Sequence, residues 1–459
     1  MYASLRQFLK SYRYQEALLL LFVALIALLG FFLVSVTGHV QLGQDPLPAL
    51  PTDLIPPLVM GFLLAALHLA LSLRKVTVDQ LILPVTGLLL AIGLTMIWRL
   101  RGSDGVWQQL TRGFIPGIFI AGAFAVWPHL IERLRRLAVP ISVAGLALQF
   151  ATALFGRMDE SGARLSLKIG PLPAIQTTEI LKVALLIFLA WFIEREGREV
   201  EGRARTLLAG LRLPAPRYFI PGLLFVGAAT LALVKMSDFG AVIILGGLFV
   251  AMLYAGFHTR VFGTIAAIGL GLAVLVGLGL ALTWEAPAVM QLRFLAFQDP
   301  WSQQEIAPGL TISQGPGYQI QQAIYATVAG GLTGTGLGFG SPELIPLAAS
   351  DFIYAALLEE LGAVTGIAVL GLYAVLVMRI LRVAMLLPEG QMFERLLLVG
   401  IGVHLFTQVF VMVGGTLNLF PLTGVTIPFL SLGGAALMVN LAEIGMVLAI
   451  MQRLEAQTV

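Results

Sequence analysis

The chain has 459 residues, 58% of them hydrophobic and only 12% charged, against about 25% charged in soluble domains. That composition excludes an ordinary soluble domain, and a net charge of +3 is too small to draw a nucleic-acid partner. The absence of cysteine excludes disulfides, thiol chemistry and zinc–thiolate sites.

The apolar residues gather into runs of about 17–25, the length that crosses a bilayer core. They predict an all-α polytopic membrane protein of about 12 transmembrane helices, at 16–36, 55–73, 79–98, 113–131, 138–155, 178–194, 218–234, 238–256, 261–284, 352–378, 396–418 and 428–450. The first run follows Arg6, Lys10 and Arg13 and lacks a small-residue cleavage site, so it reads as a retained helix rather than a signal peptide. With the N-terminus inside, 19 of the 28 Lys and Arg fall in cytoplasmic loops and tails. The positive-inside rule then predicts both termini in the cytoplasm and the 285–351 loop on the exterior.

That loop, of about 67 residues, is the longest connection and is rich in Gly, Pro and Gln. Loops of that length are functional or disordered. Its apolar stretches Ile320–Val328 and Leu344–Ala349 predict that it folds back onto the membrane surface. The 195–217 loop, with six Arg, reads as a solvated loop that sets topology. Gly334, Gly336, Gly338 and Gly340 alternate, but no strand–turn–helix context makes them a dinucleotide fingerprint. His39, His68, His129, His258 and His404 are scattered without metal-ligand spacing.

Charged residues in or beside apolar spans suggest function by default. Glu179 and Lys182 share a helix face at i,i+3 and read either as a structural ion pair or as substrate ligands. Lys235 and Asp238 stand at a hinge between two spans, and Glu443 faces the bundle interior with no role assigned. Asp351 sits at the mouth of the tenth span, where a helix cap and a catalytic carboxylate are compatible readings. Glu359 and Glu360 lie about 12 Å further along the same helix.

Together these residues resemble the SEDS proteins, the RodA/FtsW/SpoVE group, over about residues 79–452. The family's Y-Q-x-x-Q and glycine run fits Tyr318, Gln319, Gln322, Gly330, Gly331, Gly334, Gly336, Gly338 and Gly340. Its aspartate segment fits Ser350, Asp351, Phe352, Glu359, Glu360 and Gly362; its P-x-T-G signature fits Pro421, Thr423, Gly424, Pro428, Phe429, Ser431, Gly433 and Gly434. Arg164, Gln176, Glu179, Lys182, Asp238, Arg293, Phe297, Asp299 and Pro300 fit shorter motifs in the right order. The chain departs from the family at Thr177, Thr178, Ser237, Leu347, Met412 and Leu432.

The resemblance implies a ten-helix core at 79–459 behind a two-helix extension at 1–78. It implies a peptidoglycan glycan-strand polymerase of the bacterial plasma membrane, acting on lipid II outside the cell and releasing polyprenyl pyrophosphate. Asp351 would be the essential carboxylate, as general base or as ligand of a divalent cation, Mg or Mn. Arg293, Lys182 and Arg164 would face the pyrophosphate, with Glu179, Gln319, Gln322, Asp238 and Ser431 also binding substrate. Gly330, Gly331, Gly334, Gly336 and Gly338 would form a structural loop whose amides could approach phosphate. A class B penicillin-binding protein, other proteins of the cell-wall synthesis complex and membrane lipid are the implied partners. A lipid flippase and a non-catalytic scaffold are the alternatives.

Overall fold

The computed structural model describes residues 13–41, 43, 49–76, 78–156, 166–168, 175–202, 205–206, 212–213, 216–257 and 288–458. Its main helices are α1 (Tyr14–Gln41), α2 (Ile55–Leu73), α3 (Ile82–Gln109), α4 (Ile115–Val126), α5 (Ala138–Phe155), α6 (Thr177–Gly202), α7 (Pro216–Lys235), α8 (Phe239–Gly256), α9 (Ala288–Gln298), α10 (Pro316–Gly330), α11 (Ile353–Leu386), α12 (Met392–Thr416) and α13 (Gly434–Thr458). Three antiparallel ladders, none with a strand longer than three residues, only close local turns: Ser166–Leu167 with Ile175–Gln176, Arg205–Thr206 with Arg212–Leu213, and Glu305–Ala307 with Leu310–Thr311.

Among the described residues, eight helical runs are long and apolar enough to cross a bilayer. That number takes Ile82–Val126 once, at 45 residues. Such a run would rise about 68 Å, over twice the thickness of a hydrocarbon core. It is divided instead at Gly102 (φ 60, ψ −156), and a π-helical turn at Leu110–Phe114 then leads into α4. Of the expected spans, 261–284 lies outside the described residues, and each of the others falls on a helix. α6 runs past its apolar part into the charged segment ending at Gly202, and the apolar part of α7 is the shorter Ile220–Lys235.

Two boundaries differ from expectation. α13 begins at Gly434 rather than 428, because the P-x-T-G signature is a loop with its own hydrogen bonds. α11 is not continuous: Gly362 (φ 78, ψ 170) breaks it just after Glu359 and Glu360. The 285–351 segment also carries more regular structure than a bare loop, with α9, α10 and a strand pair inside it. α10 buries Ile320, Ala323 and Ala326 at helical spacing and leaves Val328 exposed.

The helices pack as two compact units, Met1–Ile131 with Asp299–Val383 and Gln408–Val459, and Glu132–Gln298 with Ala384–Thr407. In the first, α13 lies against α4 through small residues: a Cβ on Gly117 would stand 2.8 Å from Leu441 Cδ1, and one on Gly445 2.5 Å from Ala121 Cα. Close approach of this kind is what holds helices together where lipid removes the hydrophobic drive. In the second, α6 packs against α5, α7 and α8, burying Leu181, Leu185, Leu189 and Phe192. Ser142 of α5 donates to the Ala184 carbonyl at 3.0 Å.

Candidate functional site

The glycine loop closes around the two glutamates. Breaking α11 at Gly362 strips the last carbonyls before it of their helical partners, and such carbonyls must find donors elsewhere. The loop supplies them: Thr335 N–H donates to the Glu359 carbonyl at 2.9 Å and Gly336 N–H to the Glu360 carbonyl at 3.0 Å. Beyond the break, Ala363 and Val364 donate back to the Gly331 and Leu332 carbonyls at 2.9 and 3.2 Å. The carboxylates are held too. Glu359 accepts from Ser341 N–H at 2.8 Å, and Glu360 from Gly338 N–H at 3.1 Å. Arg99, just before the break of α3 at Gly102, pairs with Glu360 at 2.8 Å and donates to the Gly340 carbonyl at 3.0 Å. Of the amides expected to approach phosphate, those of Gly336 and Gly338 are therefore committed to the protein's own acid, Glu360.

Asp351 follows this clamp and is held by two loops. Leu347 takes φ 57, an unusual conformation for a bulky residue, and its carbonyl accepts from Ser350, Asp351 and Phe352 N–H at 3.0, 3.1 and 3.4 Å. Phe352, not Asp351, occupies the cap position of α11, since its carbonyl accepts the Ala356 N–H at 3.1 Å. Half-buried Asp351 lies one residue outside the cap, with its own carbonyl accepting from Thr416 Oγ1 at 3.3 Å. From the second loop, Ser431 Oγ donates to the Ser350 carbonyl at 2.7 Å and accepts from Ile427 N–H at 2.9 Å. Leu432 N–H donates to the Ala349 carbonyl at 2.8 Å. Phe429 in that loop also takes a positive φ, 65. Strained backbone on both sides of one acid is the pattern of a preorganised site.

Gln109 locks the second loop. Buried at the start of the π-helical turn, its amide donates to the Ser431 carbonyl and accepts from Gly433 N–H, both at 2.9 Å. The Ser431 hydroxyl, expected to meet substrate, is thus occupied on both its donor and acceptor sides. Ser431→Ala is expected to leave a half-buried carbonyl and a buried N–H unpaired, a loss of about 1–3 kcal/mol read as a lower thermal midpoint.

In the second unit, Glu179, Lys182 and Asp238 come together. Lys182, 2% exposed, pairs with Glu179 at 2.8 Å on α6. Asp238 caps α8, accepting the Ala241 N–H at 3.1 Å. Asp238 lies close enough to Lys182 and Glu179 to feel the charge of both. Thr178, one of the departures from the family pattern, accepts from Gln149 Nε2 at 3.3 Å, and Thr177 donates to Thr152 at 2.9 Å. Arg293 is half-buried on α9. Arg164 lies outside the described residues.

Gln319 and Gln322 are half-buried on α10, whereas the buried amide between them in sequence, Gln321, donates to the Pro300 carbonyl at 2.6 Å. Sequence reasoning passed over Gln321, Gln109, Arg99 and Thr416. Each is a polar residue in or beside an apolar run, a signal that exists but does not name a partner. Among the described residues no three Asp, Glu, His or Cys side chains gather as a protein-only cation site. Asp351 fits a cation only as Mg²⁺ is often held, by one carboxylate with substrate phosphates and water completing the shell.

A family model described as "Cell cycle protein" (FTSW_RODA_SPOVE) matches residues 74–456. The peptidoglycan glycosyltransferase RodA of Mycobacterium tuberculosis is 32% identical over 443 residues, covering 94% of this chain and 89% of the relative. Stage V sporulation protein E of Bacillus subtilis is 29% identical over 392 residues, covering 82% and 98%. Among solved structures, a chain from a study of how a peptidoglycan synthase complex coordinates polymerization and crosslinking is similar at TM-score 0.63 and 23% identity, covering 82% of this chain and 98% of that one. The rod shape determining protein RodA of Thermus thermophilus is similar at TM-score 0.54 and 23% identity, covering 81% and 96%. At that identity the structures show the fold alone.

Proposed function

The chain belongs to the FtsW, RodA and SpoVE family, and from that premise we propose that this multi-pass membrane protein is a peptidoglycan glycosyltransferase that polymerises lipid II. The observation that carries the reading is the cradle of Asp351: two loops, strained at Leu347 and Phe429, fix the backbone around one half-buried carboxylate. An acceptor sugar hydroxyl attacks the anomeric carbon of a second lipid-linked disaccharide. The new C–O bond forms as the bond to pyrophosphate breaks; the hydroxyl proton passes to Asp351, and the pyrophosphate leaves with the electron pair.

The leaving group needs positive charge, which Lys182, Arg293 and Arg164 carry. Gln319 and Gln322 offer amides to the sugars, and the pairing with Glu179 orients Lys182. A divalent cation, when bound, would neutralise pyrophosphate charge, with Asp351 as its protein ligand. The excess of Lys and Arg in the expected inner loops supports a plasma-membrane orientation with both termini cytoplasmic and the 285–351 segment outside. A class B penicillin-binding protein would crosslink the strands.

The test is purified protein in liposomes with lipid II, with and without Mg²⁺ or Mn²⁺ and a cognate transpeptidase. Glycan strands that a muramidase digests are the expected product. No polymer under any of these conditions would overturn the reading in favour of a lipid transporter or a scaffold.

A further inference from the structure

Helices α1 and α2 lie outside the residues that the family model matches, yet they are built into the first unit. At one end Arg13, 1% exposed, donates to the Val76 and Asp79 carbonyls at 2.6 and 2.7 Å and pairs with Glu16, which also meets His68 at 2.7 Å. Asp79 in turn caps the start of α3, accepting the Leu81 N–H at 2.8 Å. Along their length α1 and α3 touch closely: a Cβ on Gly30 would stand 2.7 Å from Thr95 Oγ1, and Phe31 stacks on Trp98 with centroids 5.4 Å apart.

The other end of α1 reaches the glycine clamp. Gln41 Nε2 donates to the Gly338 carbonyl at 2.8 Å, while the same residue's N–H donates to Glu360 at 3.1 Å. Thr37 closes over Gly338, where an added Cβ would collide with the threonine side chain. Gly338 (φ 86) is therefore gripped from the extension on one side and from the acid of α11 on the other. Arg99, the second partner of Glu360, comes from α3, the helix against which α1 lies.

We propose that the α1–α2 extension is a positioning element of the polymerase, with Gln41 as its positioning residue. Gln41 holds Gly338, Gly338 and Arg99 hold Glu360, and the loop so fixed leads within thirteen residues to Asp351. This rests on the assignment of Asp351 to catalysis. Gln41 itself touches no candidate substrate ligand in the described contacts, so its removal should act on turnover and leave substrate binding alone.

The experiment uses the full chain with Gln41→Leu, which removes the donor at similar size, and Gln41→Lys, which restores a donor. Lipid II polymerisation gives kcat and KM, and hydrogen exchange reports the amides of 335–341. For Gln41→Leu, kcat should fall by about 10- to 100-fold, the upper figure being that of a 1 Å misplacement of a catalytic group, with KM within about twofold. Exchange at Thr335, Gly336 and Gly338 should quicken, and Gln41→Lys should restore both. Unchanged kcat and exchange in Gln41→Leu would overturn the proposal. So would equal losses in both variants accompanied by a lower thermal midpoint, which is what a merely structural role produces. If the wild type makes no polymer, the functional reading fails, and unchanged exchange in Gln41→Leu would separately show that the extension does not hold the clamp.

Discussion

Asp351→Asn is expected to lower glycan-strand synthesis by about 10²–10⁴-fold, the range set by loss of a general base. The asparagine keeps the size of the side chain and every backbone contact of the cradle, from the Leu347 carbonyl through Thr416 Oγ1 to the Ser431 bond on Ser350. What it loses is the capacity to take a proton or to hold a cation by charge. Expression and thermal midpoint should therefore stay near wild type while polymer disappears from the gel. A variant as active as wild type would leave the enzyme standing and remove Asp351 from its chemistry.

Gly334→Ala should be among the most damaging single methyls in the described residues. Gly334 takes φ 82, where an L-residue pays roughly 1–2 kcal/mol. Its added Cβ would also stand 2.5 Å from the Glu360 carbonyl carbon and 2.7 Å from the Gly362 N. Those are backbone atoms on the far strand of the clamp and cannot swing aside. Relief requires opening the loop, which frees the Glu359 and Glu360 carbonyls together with the charge of Glu360, 0% exposed. The summed loss is about 4–5 kcal/mol, at the extreme of single substitutions. Gly371→Ala, on the same helix with nothing within 4 Å of the new Cβ, is the control and should gain up to about 1 kcal/mol. Thermal unfolding in one detergent compares them; equal midpoints would mean that the clamp is not a rigid part of the fold.

Much of this architecture is legible in the residues alone, because lipid imposes length and polarity on every span. Helix α5 begins and ends where the apolar run 138–155 does, since nothing competes with hydropathy there. The failures occur where a tertiary partner decides. Gly362 reads as one more glycine in an apolar helix, and only the donors of the 331–341 loop make a break there affordable in energy. The alternating glycines were separable from a nucleotide motif by context, but the acids they enclose lie some twenty residues on. Gln109 meets Ser431 across 322 positions, a separation over which a glutamine carries no periodic signal. Asp351 was legible as an isolated acid at a span mouth; the two strained residues that frame it were not, since positive φ at Leu347 and Phe429 contradicts their local preference.

The break at Gly362 also redraws where lipid begins. From Ala363 to Leu386 the helix rises about 36 Å, which alone exceeds the hydrocarbon thickness of a bilayer. The turns from Ile353 to Leu361 then need not enter hydrocarbon, and Glu359 and Glu360 escape the penalty of charges in a tail region. On that reading the segment before the span would end at Gly362 rather than at Asp351. Asp351 would then open a helical stalk clear of the acyl chains instead of guarding the entrance to a span. A lipid-linked substrate would meet it with its sugars, while its isoprenoid anchor stayed below in the bilayer.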